Sequence, residues 1–180
     1  MRQRFLLMGM ILLSISITTG VCQSKRRARK RAAKERTAYV YELNAVAEGV
    51  VGNYLVEVWS YSNHPDIAIE QSKKNAVHGI LFKGYPGKND KGLRITPQEP
   101  IIREMPSEKN KKKFLDNFFK DEGDYMQFVT RSNDGSVAPP KVMKLGRKRY
   151  KVGVVVSVRK DALRKYMEAH GVVKSLTDGF

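Results

Sequence analysis

The stretch RYKVGVVVSV, residues 149–158, is apolar on both faces from Val152 to Val158 apart from Gly153 and Ser157. A strand with one wet face alternates polar and apolar residues, so an unbroken β-branched run belongs at the centre of a sheet. Directly after it, KDALRKYMEAHGV (residues 160–172) changes period. Leu163, Tyr166 and Met167 recur on one helical face, Asp161 stands where a cap is needed, and Gly171 marks the stop. A central strand feeding an amphipathic helix calls for a sheet with helices laid against it.

Upstream, SEKNKKKFLDNFFKDEGDYMQFV (107–129) places Phe114 and Phe118, and Leu115 and Phe119, four residues apart. That spacing predicts a helix with an aromatic edge, which packs into a core more readily than it binds a ligand. Gly123 closes the helix, YMQFVTR (125–131) reads as a strand, and SNDGSVAPP (132–140) as a turn. Further back, AYVYELNAVAEGVVGNYLVEVWSYS (38–62) reads as two strands joined at Gly52-Asn53, a pair that tolerates the positive φ of a tight hairpin. Val56 and Val58 fall on one face of the second strand; Leu55, Glu57 and Trp59 fall on the other.

Pro65 then suits a first helical turn, with Asn63 or His64 near the cap and Asp66 at the positive end. Ile69, Ser72, Ala76 and Ile80 follow at helical spacing, while Glu70, Lys73 and Lys74 take the wet face. Gly79 is expected to stop this helix, and ILFKGY (80–85) to form a short strand. The resulting order, ββαβαββα over residues 38–180, predicts one α+β domain. Its single sheet has substantial antiparallel pairing, and the helices gather mainly on one face.

ILFKGYPGKND (80–90) has the outline of a strand entering a phosphate loop, but the outline fails. A phosphate loop needs Gly-x4-Gly-Lys-Ser/Thr opening a helix. Phe82 stands at the first glycine, Asn89 at the hydroxyl position, and Pro86 lacks an amide hydrogen. A turn leading into a long loop at about 86–107 is expected instead, a length that compact domains seldom carry without purpose.

The chain has 180 residues and a formal net charge of +16. Residues 25–36 carry eight basic side chains, Lys25, Arg26, Arg27, Arg29, Lys30, Arg31, Lys34 and Arg36, against Glu35 alone. Residues 37–180 hold 24 Lys and Arg against 17 Asp and Glu. The segment 23–37 has no apolar face and reads as a basic flexible linker, able to grip an anionic surface or to serve as a solvated spacer. Before it, residues 1–22 have a basic start, an apolar run from Phe5 and small residues at the end, the layout of a secretory signal peptide. Gly20 and Cys22 are small at −3 and −1 relative to Gln23, which fits ordinary cleavage. An uncleaved anchor is the alternative, since a basic flank resists translocation. Lipidation of Cys22 is a lesser alternative, because Thr19 and Val21 are a poor match to a lipoprotein cleavage motif.

One cysteine excludes an intramolecular disulfide and a thiolate-rich metal site. His64, His78 and His170 have no partner at metal-ligand spacing, and His78 and His170 are each placed at a helix end. No catalytic or cofactor motif emerges, so neither enzyme activity nor a cofactor is expected.

At YVYELNAVAEG, YLVEVWSYS, AIEQSKKNAVHGILFKGY and YKVGVVVSVRKDALRKYMEAHGV the chain resembles exported proteins of Bacteroidales bacteria with no established function. More distantly, the NAV helix after a strand and the late alternating strand followed by LRKYMEAHG are similar to small α+β domains of LPP20-type lipoproteins and flagellar assembly envelope proteins. The chain departs from the lipoprotein members at its cleavage motif. The resemblance implies export and supplies no catalytic residue, and the chain as a whole reads as an exported, non-enzymatic periplasmic or envelope-associated binding or assembly module. Its partner would be a protein or an envelope polyanion, with the basic tail near a membrane surface. Nucleic acid is disfavoured behind an export signal. The alternative is a membrane-anchored protein using that tail on nucleic acid or acidic lipid.

Overall fold

The computed structural model describes residues 39–48, 52–90, 93–131 and 139–175. The chain divides into two units, Met1–Tyr39 and Val40–Phe180, and the second carries the α+β fold. The expected signal peptide, Cys22 and the basic linker lie outside the described residues.

Strands β1 (Tyr41–Glu48) and β2 (Asn53–Ser62) pair antiparallel, and β2 pairs along its whole length with β7 (Tyr150–Arg159). The opposite edge of β7 is shared end to end by β6 (Lys141–Lys144), against residues 150–153, and β5 (Val129–Arg131), against 156–158. The Val-rich run is therefore the centre of a curled antiparallel sheet, flanked on both sides as its composition requires. Val56 and Val58 are buried, as are Val152, Val154, Val156 and Val158, and all six project to one face.

That face is covered by α1 (Pro65–Phe82), through Ala68, Ala76, Val77, Ile80 and Leu81. Burying each large aliphatic side chain contributes about 1.5–3 kcal/mol. Inside this interface Asn75 Nδ2 donates to Ser60 Oγ at 2.9 Å, which fixes the helix over β2. Helix α2 (Lys109–Phe118), a 3-10 turn at Asp124–Phe128 and helix α3 (Lys160–Ala169) build a second, aromatic layer of Phe118, Phe119, Tyr125 and Phe128. The aromatic edge of α2 is core, as its spacing predicts; Phe114 ends it, stacked on His170 at 4.7 Å.

Several local expectations are corrected. Gly79 does not end α1, which runs on through Phe82, so there is no strand at 80–85. Gly79 is a point of close approach: a Cβ there would stand 2.2 Å from Leu43 Cδ1. The terminator is Gly84, at φ +82°, whose N–H donates to the Gly79 carbonyl at 2.9 Å. Lys74, expected on the wet face, is buried.

Asp161 is not the cap of α3; Arg159 occupies that position and Asp161 lies in the first turn, its N–H 3.5 Å from the Gly52 carbonyl. The strand expected at 125–131 begins only at Val129, after the 3-10 turn, and β6 was not anticipated.

The segment 86–107 is also more ordered than a loop. It holds a small hairpin, β3 (Lys88–Asp90) with β4 (Leu93–Ile95), and buries Ile95, Ile101 and Ile102. The amides of Ile101 and Ile102 donate to the carbonyls of Ile80 and Leu81 at 3.4 and 2.8 Å. These are the carbonyls that the end of α1 leaves without helical partners, so the segment completes the helix C-terminus.

Candidate functional site

With the helices on one face, the alternate residues of the sheet are left on an open face: Glu42 and Asn44 from β1, Glu57, Trp59 and Tyr61 from β2, and Lys151, Gly153 and Val155 from β7. Lys141 of β6 completes the row, opposite Gly153. Trp59 and Gly153 are register partners. A Cβ on Gly153 would meet Cη2, Cζ2 and Cε2 of the indole at 2.9, 2.9 and 3.0 Å. Three ring atoms at nearly equal distance mean that the indole lies flat across Gly153. The glycine in the strongest strand is thus the seat of the tryptophan.

Around this platform the charges alternate. Glu57 accepts from Lys141 Nζ at 2.7 Å and from Trp59 Nε1 at 3.1 Å, and Glu42 accepts from Lys151 Nζ at 2.8 Å and from the Tyr61 hydroxyl. Lys151 Nζ stands 5.1 Å from the centre of the Trp59 ring and 5.5 Å from that of Tyr61; the Arg149 guanidinium is 5.5 Å from Tyr61. Cations at such distances are held by the ring quadrupole, and Lys151 by its carboxylate as well.

The hydrogen bond from Lys151, then that from Tyr61, holds the Glu42 carboxyl below its ordinary value, and Lys151 is raised by the same contacts. Burial pushes Glu57 upward, but the hydrogen bonds from Lys141, Trp59 and Asn44 outweigh it and leave the group lowered. Both carboxylates are thereby kept ionised, as counter-ions rather than proton donors.

A cavity of about 380 Å³ opens beside this row, between Asn44, Glu57 and Lys141 on the sheet and Pro86, Gly87 and Lys88 where the chain enters the small hairpin. The segment 86–107, expected as a long loop, borders the open face at this point. A larger groove of about 1180 Å³ runs between residues 97–104 and α3, past Lys111, Lys160, Arg164 and Lys174. Several of its cations are committed: Lys111 to Glu108 and Arg164 to Glu168, each at 2.8 Å, and Arg103 to Glu99. Burial lowers Lys160, whose Nζ is 3.3 Å from Gln98 Oε1. A half-buried lysine bonded to an amide and beside a tyrosine ring is placed for packing.

The histidines do not converge. His64 is the N-cap of α1 without a side-chain cap bond, and His170 is the C-cap of α3, as expected. His78 is not at a helix end; it lies inside α1, half-buried against Tyr41, Phe82 and Phe119. Among the described residues no group of His, Cys, Asp and Glu is arranged to hold a metal ion, and no helix is long and apolar enough to cross a membrane.

Sequence reasoning placed the anionic-surface contacts at Lys25, Arg26, Arg27, Arg29, Lys30, Arg31, Lys34 and Arg36, all outside the described residues. It missed the open-face row, whose members come from four strands, and it missed a second basic cluster. KVMKLGRKRYK, residues 141–151, holds six cations and no acid, nearly all the excess charge of residues 37–180. A windowed charge count would have found that cluster; nothing short of strand register would have paired Trp59 with Gly153.

No family model, curated protein or solved structure matches the chain.

Proposed function

We propose that this chain is an exported, non-enzymatic module of the periplasm or cell envelope that binds or assembles with a partner through the open face of its sheet. The observation that supports the binding half is the indole of Trp59 laid flat on Gly153 and ringed by Lys141, Lys151 and Tyr61. An aromatic plane with flanking cations suits a partner that offers a flat apolar surface with negative groups around it, such as an envelope polyanion or an acidic protein surface. The export half rests on the layout of residues 1–22 and on the likeness to exported Bacteroidales proteins.

The test has two arms. Trp59 is the only tryptophan, so its fluorescence reads the open face directly. Titration with purified lipopolysaccharide should shift its emission, and Lys151→Ala should weaken the response; an unchanged spectrum at saturating ligand removes the polyanion form of the proposal. N-terminal sequencing of protein from cells should find a start after residue 22. An intact Met1 would instead favour the membrane-anchored alternative, in which the basic tail acts on nucleic acid or acidic lipid.

A further inference from the structure

The hairpin of β6 and β7 carries a feature that the open face does not use. Its tip, residues 145–149, is closed by the Leu145 amide donating to the Arg149 carbonyl at 2.8 Å. The last β2 residue, Ser62, pairs with Tyr150, so the tip projects past the end of its neighbouring strand. Every residue from 141 to 149 is exposed. Lys141 and Lys151, at the base, are matched by Glu57 and Glu42. Lys144, Arg147, Lys148 and Arg149, toward the tip, form no ion pair among the described residues. The same hairpin exposes Val142, Met143 and Leu145, each at half or more of its full surface. These are three of the five large apolar side chains so exposed among the described residues.

Charge on an edge strand has an ordinary use: it blocks edge-to-edge association. That use needs no exposed Leu, Met and Val, which work against it. A nucleic-acid contact would use the cations, but it stacks bases on aromatic side chains, and none occurs from 141 to 149. One surface rewards cations and aliphatic side chains together: the boundary between anionic headgroups and acyl chains, where each cation is worth about fivefold in affinity and each apolar group adds by burial.

We infer that the 141–149 hairpin is a docking element for an anionic lipid bilayer. Arg147, Lys148 and Lys144 meet the headgroups, and Leu145, with Met143 and Val142 behind it, enters the interface. The inference does not depend on export, because either leaflet of a membrane can present anionic lipid. Met143, the register partner of Lys151, borders the Trp59 face, but Lys144, Leu145, Arg147 and Lys148 belong to none of the contacts of that face, so the two can be tested apart.

The full chain carries the basic tail, so the experiment must read the hairpin locally. Gly146 offers the place: its φ is not in the left-handed region, and a Cβ there meets nothing within 4 Å. The full chain with Cys22→Ser and Gly146→Cys, labelled at position 146 with an environment-sensitive fluorophore, is titrated with vesicles of phosphatidylcholine containing about one third phosphatidylglycerol. A blue shift, quenched by lipids spin-labelled near the headgroup and absent with pure phosphatidylcholine, is the expected result. Arg147→Glu with Lys148→Glu should weaken the response more than tenfold, and Leu145→Ser should weaken it severalfold; circular dichroism confirms that each variant is folded. Co-sedimentation without a blue shift would assign binding to the tail and overturn the inference. So would a response to single-stranded DNA that equals the vesicle response and ignores Leu145→Ser.

Discussion

The hydroxyl of Tyr41 on β1 lies 2.6 Å from Nδ1 of His78 on α1, a hydrogen bond that joins the edge of the sheet to the helix covering it. The imidazole is half-buried among Phe82 and Phe119, with Lys83 and Lys74 nearby. Burial first, then those two positive charges, pushes His78 down to about 4 from 6.5.

A pH dependence follows from that depression. The unfolded chain takes up a proton at His78 near pH 6.5, whereas the folded chain does not until about 4. Between those values the unfolded state binds more protons, so this contribution is complete above pH 6.5 and is lost as pH falls toward 4. Discounted for partial exposure, its size is about 1–2 kcal/mol. Urea midpoints at pH 7 and pH 4.5 should differ accordingly. His78→Gln should be less stable at pH 7 but show a smaller drop between the two; an equal drop in both proteins would refute the assignment.

Gly153→Ala tests the seat of the indole. An added methyl must lift Trp59 off the sheet, since the contacts would be about 2.9 Å. Alanine is otherwise at ease in a strand, so the loss comes from displacing the ring and is about 1–3 kcal/mol. The near-UV circular dichroism of the single tryptophan should collapse while the far-UV spectrum stays. Retention of the near-UV signal would mean that the ring is not held there.

Tyr85 stitches the segment after α1 onto the irregular part of β1. Pairing of β1 with β2 slips between Ala45 and Ala47, and the buried Tyr85 hydroxyl stands 2.8 Å from the Ala47 carbonyl and 3.2 Å from the Leu55 carbonyl. The bulge turns carbonyls away from the ladder, and the phenol supplies the donor. Tyr85→Phe should cost about 1–2 kcal/mol in denaturant unfolding, with faster hydrogen exchange in β1. An unchanged midpoint would show that the contact is idle.

Gly84→Ala should be the most damaging of the single-methyl additions. The residue sits at φ +82°, and its Cβ would fall 2.2 Å from the Gln98 carbonyl oxygen and 2.9 Å from the Pro100 nitrogen. Backbone atoms cannot rotate aside as a side chain can. A loss of roughly 2–4 kcal/mol in thermal or urea unfolding is expected. A loss below about 0.5 kcal/mol, within the range of an ordinary surface change, would contradict the tight turn.

The sequence by itself determined what depends on neighbours along the chain. The Val152–Val158 run called for a central strand, the Phe114 and Leu115 spacing called for a packed helix, and Pro65 with Asp66 opened α1 where it begins. Periodicity reports burial face by face, so these elements and the α+β class were legible. Tertiary structure alone decided what depends on contacts between distant segments. Gly79 reads as a stop by propensity but is an approach point for Leu43, because a bare helix face gains from lying close to the sheet. The segment 86–107 reads as a loop, yet it hydrogen-bonds the end of α1 because those carbonyls need partners that the helix cannot supply. Trp59 and Gly153 stand ninety-four positions apart in the chain, and only the antiparallel register of β2 and β7 sets one upon the other. Local chemistry can state what each strand wants on its faces, but the identity of the facing residue is fixed only when the strands meet.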